Sequence, residues 1–142
     1  MNTSVLARLQ GLLSKAPFMA FTKLGAAERR KGDGTALAAT YLPFEPHLKN
    51  HIGTQHAGAL FTVAYTSARA AAEEAVGGTA LVSSGFQSSI QFRKPGKGAV
   101  WVSSQAHVVS PTEVRVDSTL HSEGDEPIAQ LTITFTPATT TA

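Results

Sequence analysis

Apolar positions along the chain repeat first at helical spacing, then as strands, then along one long helix, and then as strands again. Val5, Leu6, Leu9, Leu12 and Leu13 recur at helical spacing behind Thr3 or Ser4, either of which can cap a helix. Pro17 follows closely, so a short helix is expected over residues 1–16. A weak pattern from Phe18 to about Glu28 suggests a first strand, and Arg29-Arg30-Lys31-Gly32-Asp33-Gly34 reads as a turn. Thr35 to Leu42 reads as a second strand, ended by Pro43 and Pro46.

From Ala57 to Val76 there is no proline, and glycine occurs only at Gly58. Leu60, Ala64, Ala68, Ala71 and Ala75 recur at helical steps, placing mostly small side chains along one face. Small side chains let a sheet approach the helix backbone, and Gly77-Gly78 reads as its left-handed terminator. Four strand-like segments follow, at 80–93, 99–110, 113–122 and 127–136. Alternation is clearest where Val114, Val116, Ser118 and Leu120 oppose Arg115, Asp117 and Thr119. Two short strands, a long helix and a four-strand meander predict an α+β domain with an antiparallel sheet curled around one helix. The tail over residues 138–142 is expected to fray.

The long helix is preceded directly by the polar run Asn50-His51-Ile52-Gly53-Thr54-Gln55-His56. The first backbone N–H groups of a helix have no internal partner, so this start is suited to an oxyanion or a polarised carbonyl. Asn50, Gly53, His56 and Gly58, with Ala57 between the last two, resemble the N-x-x-G-x-x-H-G-G-like signature of hotdog-fold acyl-CoA thioesterases of the phenylacetate-pathway type. The apolar continuation from Ala59 to Ala64 is similar to that family's helix start. Ser88-Ser89-Ile90-Gln91-Phe92-Arg93-Lys94-Pro95-Gly96-Lys97-Gly98 resembles its long strand running into a basic Pro/Gly turn.

The resemblance implies a single hotdog domain over residues 1–142, with about six curved antiparallel strands around a central helix and a short N-terminal helix. It implies a homodimer or dimer of dimers acting on acyl-CoA or an acyl-carrier thioester, with CoA as part of the substrate and no other cofactor. In the resembled family the amide after the motif histidine, here that of Ala57, polarises the thioester carbonyl. An Asp or Glu nine places after that histidine, contributed by the other subunit, activates water or attacks. This chain has Tyr65 there. A tyrosine hydroxyl is a poor base at neutral pH beside a carboxylate. Glu73 lies about 12 Å further along the helix and is no simple replacement. A non-catalytic acyl-binding protein, its pocket closed by Tyr65, is therefore the alternative to a hydrolase.

The candidate residues each carry a plainer reading. Asn50 and His56 are placed to touch substrate, or else they cap the helix and hold the loop. Tyr65 is a hydrogen-bonding or a packing residue, and Thr66 a possible water-positioning one. Gly53 and Gly58, as motif glycines of the loop, are by the resemblance substrate-binding positions. Arg93, Lys94 and Lys97 suit the phosphates of CoA, or form a solvated turn. Arg69 and Glu73 have the spacing of an ordinary helix-surface ion pair.

Composition narrows the classes further. The chain has no cysteine, which removes disulfides and thiolate metal sites and fits a cytoplasmic setting. The net charge of +2, with scattered basic residues, does not suggest nucleic-acid binding. No apolar run approaches a membrane span, and residues 1–8 lack the basic start and apolar block of a signal peptide. His47 and His51 stand at i,i+4 spacing without further ligands nearby, so no metal site is expected. His107 and His121 fall within strands and read as ordinary sheet residues.

Overall fold

The structure, a computed structural model, describes residues 3–15, 21–30, 36–77 and 81–137. Helix α1 spans Thr3–Lys15 and helix α2 spans Ala57–Ala75. The strands are β1 (Gly25–Arg30), β2 (Ala36–Leu42), β3 (Leu81–Phe92), β4 (Val100–Ser110), β5 (Glu113–Ser122) and β6 (Pro127–Pro137). They form a six-stranded antiparallel sheet in the order β1-β2-β4-β5-β6-β3. This curved sheet around one long helix, with a short helix ahead of it, is the hotdog arrangement expected from the sequence.

Two local expectations need correction. The first strand begins at Gly25 because Phe21 and Thr22 lie in a helical turn, after which Lys23 takes φ 56°. Arg29 and Arg30 belong to β1, and residues 31–34 of the expected turn lie outside the described residues. The expected tail at 138–142 also lies outside them. The second correction concerns topology. β3 does not form a hairpin with β4 but pairs with β6 at the far edge, leaving β4-β5-β6 as the meander. The 93–99 segment therefore crosses the end of the sheet. It is pinned there by Arg93 and Lys94 N–H donating to Ile128 O at 2.8 and 3.1 Å, and by Gln55 N–H donating to Gly96 O at 2.8 Å. Sequence-adjacent alternating segments invite a meander reading, and nothing local marks the crossover.

Helix α2 packs chiefly on β4 and β5, then β2. Its fully buried small residues are Ala64, Ala68 and Ala72, with Leu60 and Val63 ahead of them. The buried stripe thus runs in steps of four to Ala72, whereas Ala71 is only half-buried and Ala75 is exposed. Packing is close enough for Thr40 Oγ1, on β2, to donate to the helix carbonyl of Val63 at 3.3 Å. A chain of hydroxyls from Ser67 to Ser104 (2.7 Å) and on to Ser118 (2.6 Å) ties α2 to β4 and β5. On β5, Val114, Val116, Ser118 and Leu120 are buried as the alternation required. Beyond Val76, Gly77 takes φ 72° and donates to Glu74 O at 3.1 Å, closing the helix.

Replacing Ala68 by Leu should overpack this face and cost about 1–3 kcal/mol in urea unfolding, while Ala75→Leu should be near neutral. Equal effects at the two positions would mean that α2 does not sit against the sheet as described.

Candidate functional site

The segment before α2 is built around Asn50. Its Oδ1 accepts the N–H groups of Ile52 (3.1 Å) and Thr54 (3.0 Å), and its Nδ2 donates to Thr54 Oγ1 (2.8 Å) and Gln55 O (3.5 Å). The backbone closes the same loop, with Asn50 N–H donating to Thr54 O at 2.8 Å and Gly53 N–H to Asn50 O at 3.1 Å. Gly53 takes φ 82°, a left-handed conformation that disfavours a side chain. The Asn50 amide is spent on the loop, which is its plainer reading.

His56 is the N-cap of α2, with its Nδ1 accepting from Gly58 N–H at 2.9 Å. A Cβ on Gly58 would lie 3.1 Å from that nitrogen, so glycine lets the ring fold back over the helix end. With Gly58 taken by the cap, no acceptor among the described residues receives the N–H of Ala57 or Ala59. Ala57 lines an open groove of about 340 Å³ together with Asn50, Ile52, Phe92, Arg93 and Lys94. A half-free helix start facing a groove can donate to a carbonyl or an oxyanion. Helix, loop and crossover thus bring Asn50, Ala57, Arg93 and Lys94 together.

The basic residues of the crossover are partly engaged. Lys94 forms an ion pair with Glu126, and Arg93 Nη2 donates to Gln130 Oε1 at 3.5 Å. Lys97 lines a neighbouring cleft of about 390 Å³ that also carries Glu123 and Glu126.

Tyr65 and Thr66 stand two turns further along α2, away from this groove. Thr66 is buried and donates to Thr62 O at 2.8 Å. Tyr65 is half-buried among three rings, with centroids at 5.1 Å to Phe86 on β3, 6.1 Å to Phe135 on β6 and 6.1 Å to Phe61 on α2. Its hydroxyl oxygen accepts from Arg69 Nη1 at 3.0 Å, and Arg69 Nε donates to Glu73 Oε1 at 3.1 Å. Burial disfavours the Arg69 charge, but its hydrogen bond and electrostatic attraction to Tyr65, and then to Glu73, outweigh this and raise its pKa. The ladder reaches α1, where Arg8 lies 4.0 Å from Glu73 Oε2 and donates to Glu74 Oε2 at 3.0 Å.

Three features were not singled out in the sequence. The ion pair of Arg69 and Glu73 was legible, but its extension to Tyr65, at the same i,i+4 spacing, was overlooked. Phe86 and Phe135 reach Tyr65 only through strand order, which no local pattern encodes. Gln55, 3% exposed, donates from Nε2 to Pro43 O at 3.0 Å and Gly98 O at 3.1 Å, joining the loop to both flanking strands. Three of the other histidines make local contacts. His47 Nε2 lies 2.7 Å from Phe21 O, His121 stacks on Trp101 at 4.2 Å, and His107 lies 3.8 Å from Asp117. Among the described residues no group of three His, Asp or Glu side chains could hold a metal. Nor is any described helix long and apolar enough to cross a membrane.

Sheet order and central helix together define a hotdog fold, shared with solved structures at low sequence identity. The chain belongs to the family described as a domain of unknown function, DUF4442, which it matches over residues 8–136. Solved structures share the fold at low identity. The Escherichia coli PaaI protein from the phenylacetic acid degradation operon is 14% identical, with a TM-score of 0.73 over 96% of this chain and 95% of that one. A thioesterase family protein from Silicibacter pomeroyi is 19% identical, with a TM-score of 0.70 over 93% and 96% of the two chains. A Bacillus halodurans protein solved with CoA is 22% identical, with a TM-score of 0.66 over 98% and 94%. Comparison with curated proteins by sequence gives no match.

If Asn50 holds the loop, Asn50→Ala should lower stability by about 1–3 kcal/mol without any ligand and speed hydrogen exchange at the Thr54 amide. Unchanged exchange at Thr54 would leave the side chain free for substrate instead.

Proposed function

We propose that the protein is an acyl-CoA thioesterase-like protein, cytoplasmic, taking acyl-CoA or acyl-carrier thioesters at a site shared between two copies of the chain. The observation that carries this reading is the unspent Ala57 amide opening into the groove at the start of α2. The CoA bound by the Bacillus halodurans protein of the same fold supports it. In this proposal the acyl thioester lies with its carbonyl oxygen at Ala57 N–H. The CoA portion runs out past Arg93, Lys94 and Lys97, where only part of the positive charge is already paired.

The shape of the chain supports sharing between copies. Tyr65 lies about 12 Å along the axis from Ala57, too far for both to serve one carbonyl from the same helix. Both, however, open toward the β3 edge, since Phe92 lines the Ala57 groove and Phe86 packs on Tyr65. β3 is an edge strand, with Phe86 and Phe92 43% and 48% exposed. Antiparallel two-fold pairing of two β3 edges, centred near Ser89, sets Phe92 of one copy opposite Phe86 of the other. The helix start of one copy then faces Tyr65 of its mate, and the open edges are covered. We propose a homodimer on this basis, or a dimer of dimers.

Tyr65 gives weight to a second reading, a protein that binds acyl thioesters without hydrolysing them. Its hydroxyl accepts from a cation and its ring is packed among phenylalanines, which is not the setting of a general base. In either reading Tyr65 touches the thioester, as hydrogen-bond donor.

Wild-type protein should bind acyl-CoA and scatter light as a dimer or larger. Thiol release should be slow, and Tyr65→Asp should raise it by about 10²–10⁴-fold, the usual worth of general-base assistance. Fast wild-type turnover that falls in Tyr65→Phe would establish the hydrolase with a participating hydroxyl. A single-chain mass would remove the shared site, and failure to bind any acyl-CoA would remove the function.

A further inference from the structure

Resting on the reading of Tyr65 just given, we propose that Arg69 is a positioning residue that makes the Tyr65 hydroxyl a directed hydrogen-bond donor to the bound thioester. Arg69 and Glu73 would be a routine surface pair if the contacts stopped there. They do not. Both side chains are three-quarters buried, at 24% and 25% exposure, and Arg69 spends a second N–H on the phenol oxygen at 3.0 Å.

A phenol has one hydrogen to give, and a guanidinium has donors only. Once Arg69 fills the acceptor side of Tyr65, the hydroxyl hydrogen must turn to another acceptor. None among the described residues receives it. The three neighbouring phenylalanine rings pack around the phenol and restrict its orientation, and with it the directions open to that hydrogen. A cation bonded to the oxygen also polarises the O–H and strengthens it as a donor.

Arg69 is itself held from behind. Glu73 fixes its Nε, and Arg8 on α1 approaches the other carboxylate oxygen of Glu73 at 4.0 Å. The fork of the guanidinium matters here, because one end must reach Glu73 while the other reaches Tyr65. A lysine ammonium in its place would keep the charge and lose the fixed fork.

The chain has two tyrosines, Tyr41 and Tyr65, so ring-carbon (¹³Cζ) tyrosine NMR resolves the site and Tyr65→Phe assigns it. The binding probe is a 2-oxoalkyl thioether of CoA, which keeps a carbonyl and cannot be hydrolysed. In Arg69→Met the Tyr65 resonance should shift while that of Tyr41 stays, and affinity for the probe should fall roughly tenfold, as expected for a lost charged hydrogen bond. Arg69→Lys should recover part of the affinity. In a Tyr65→Phe background, Arg69→Met should cost nothing more, because its effect runs through the hydroxyl.

Losses that multiply in the double variant, or an unmoved Tyr65 resonance, overturn the role of Arg69. If Arg69→Met does not fold, the same cycle is run with Arg69→Lys, and multiplying losses there overturn it equally. If Tyr65→Phe by itself leaves probe binding unchanged, the fault lies instead with the reading of Tyr65 on which this inference rests.

Discussion

The close seat of α2 on the curved sheet is the constraint from which the rest follows. Ala64, Ala68 and Ala72 have no exposed surface, so nothing larger than a methyl separates that face of the helix from β2, β4 and β5. Well-packed interiors resist even a single added methylene, which fixes the depth and rotation of the helix. Polar contacts reinforce this where apolar packing alone would leave freedom to slide. Thr40 reaches a helix carbonyl, and the Ser67-Ser104-Ser118 chain has one geometry in which its hydroxyls satisfy one another. With the helix fixed, the directions of the Ala57 amide and the Tyr65 ring are fixed as well.

Chemistry at position 65 then turns on what surrounds it. A carboxylate there would bring negative charge and basicity to the site. Tyr65 with Arg69 brings an apolar ring, a donor and a positive charge close behind it. Such a group stabilises a carbonyl oxygen rather than activating water. The aromatic cluster serves the same end by filling the wedge between α2 and the β6-β3 edge, where the helix itself makes few contacts. Packing and polarity therefore both favour the proposed binding and polarisation over hydrolysis.

Much of this was legible in the sequence, and what was not has identifiable physical causes. Elements with a strong period were legible. α2 matches its expected start at Ala57, and β5 matches at Glu113–Ser122. Periodicity reports which face is buried, and it did so well enough to locate the small-residue stripe as far as Ala68. It does not report pairing partners, so the displacement of β3 to the far edge was missed, and with it the aromatic ring contacts of Tyr65. At the helix start the motif residues were legible, but their division of labour was not. Which acceptor takes Gly58 N–H, and so which amide is left unspent, depends on a His56 rotamer that spacing cannot encode.

That division of labour also bears on assembly. A single helix offers at its start the unspent amide of Ala57, facing the groove, and, two turns on, an unspent hydroxyl hydrogen. Both open toward the same sheet edge, yet about 12 Å of helix keeps them from a common target. In the proposed two-fold pair this separation would become a means of construction. Each copy would supply what the other lacks at a given carbonyl, and the same pairing that covers the β3 edge would complete two sites at once. In the proposed pair, the polarising amide and the Tyr65–Arg69 donor approach the thioester from different chains. Arg8 lies at the end of the ladder through Glu73, so in that pair α1 of one copy would stand behind the donor that serves a substrate seated on the other.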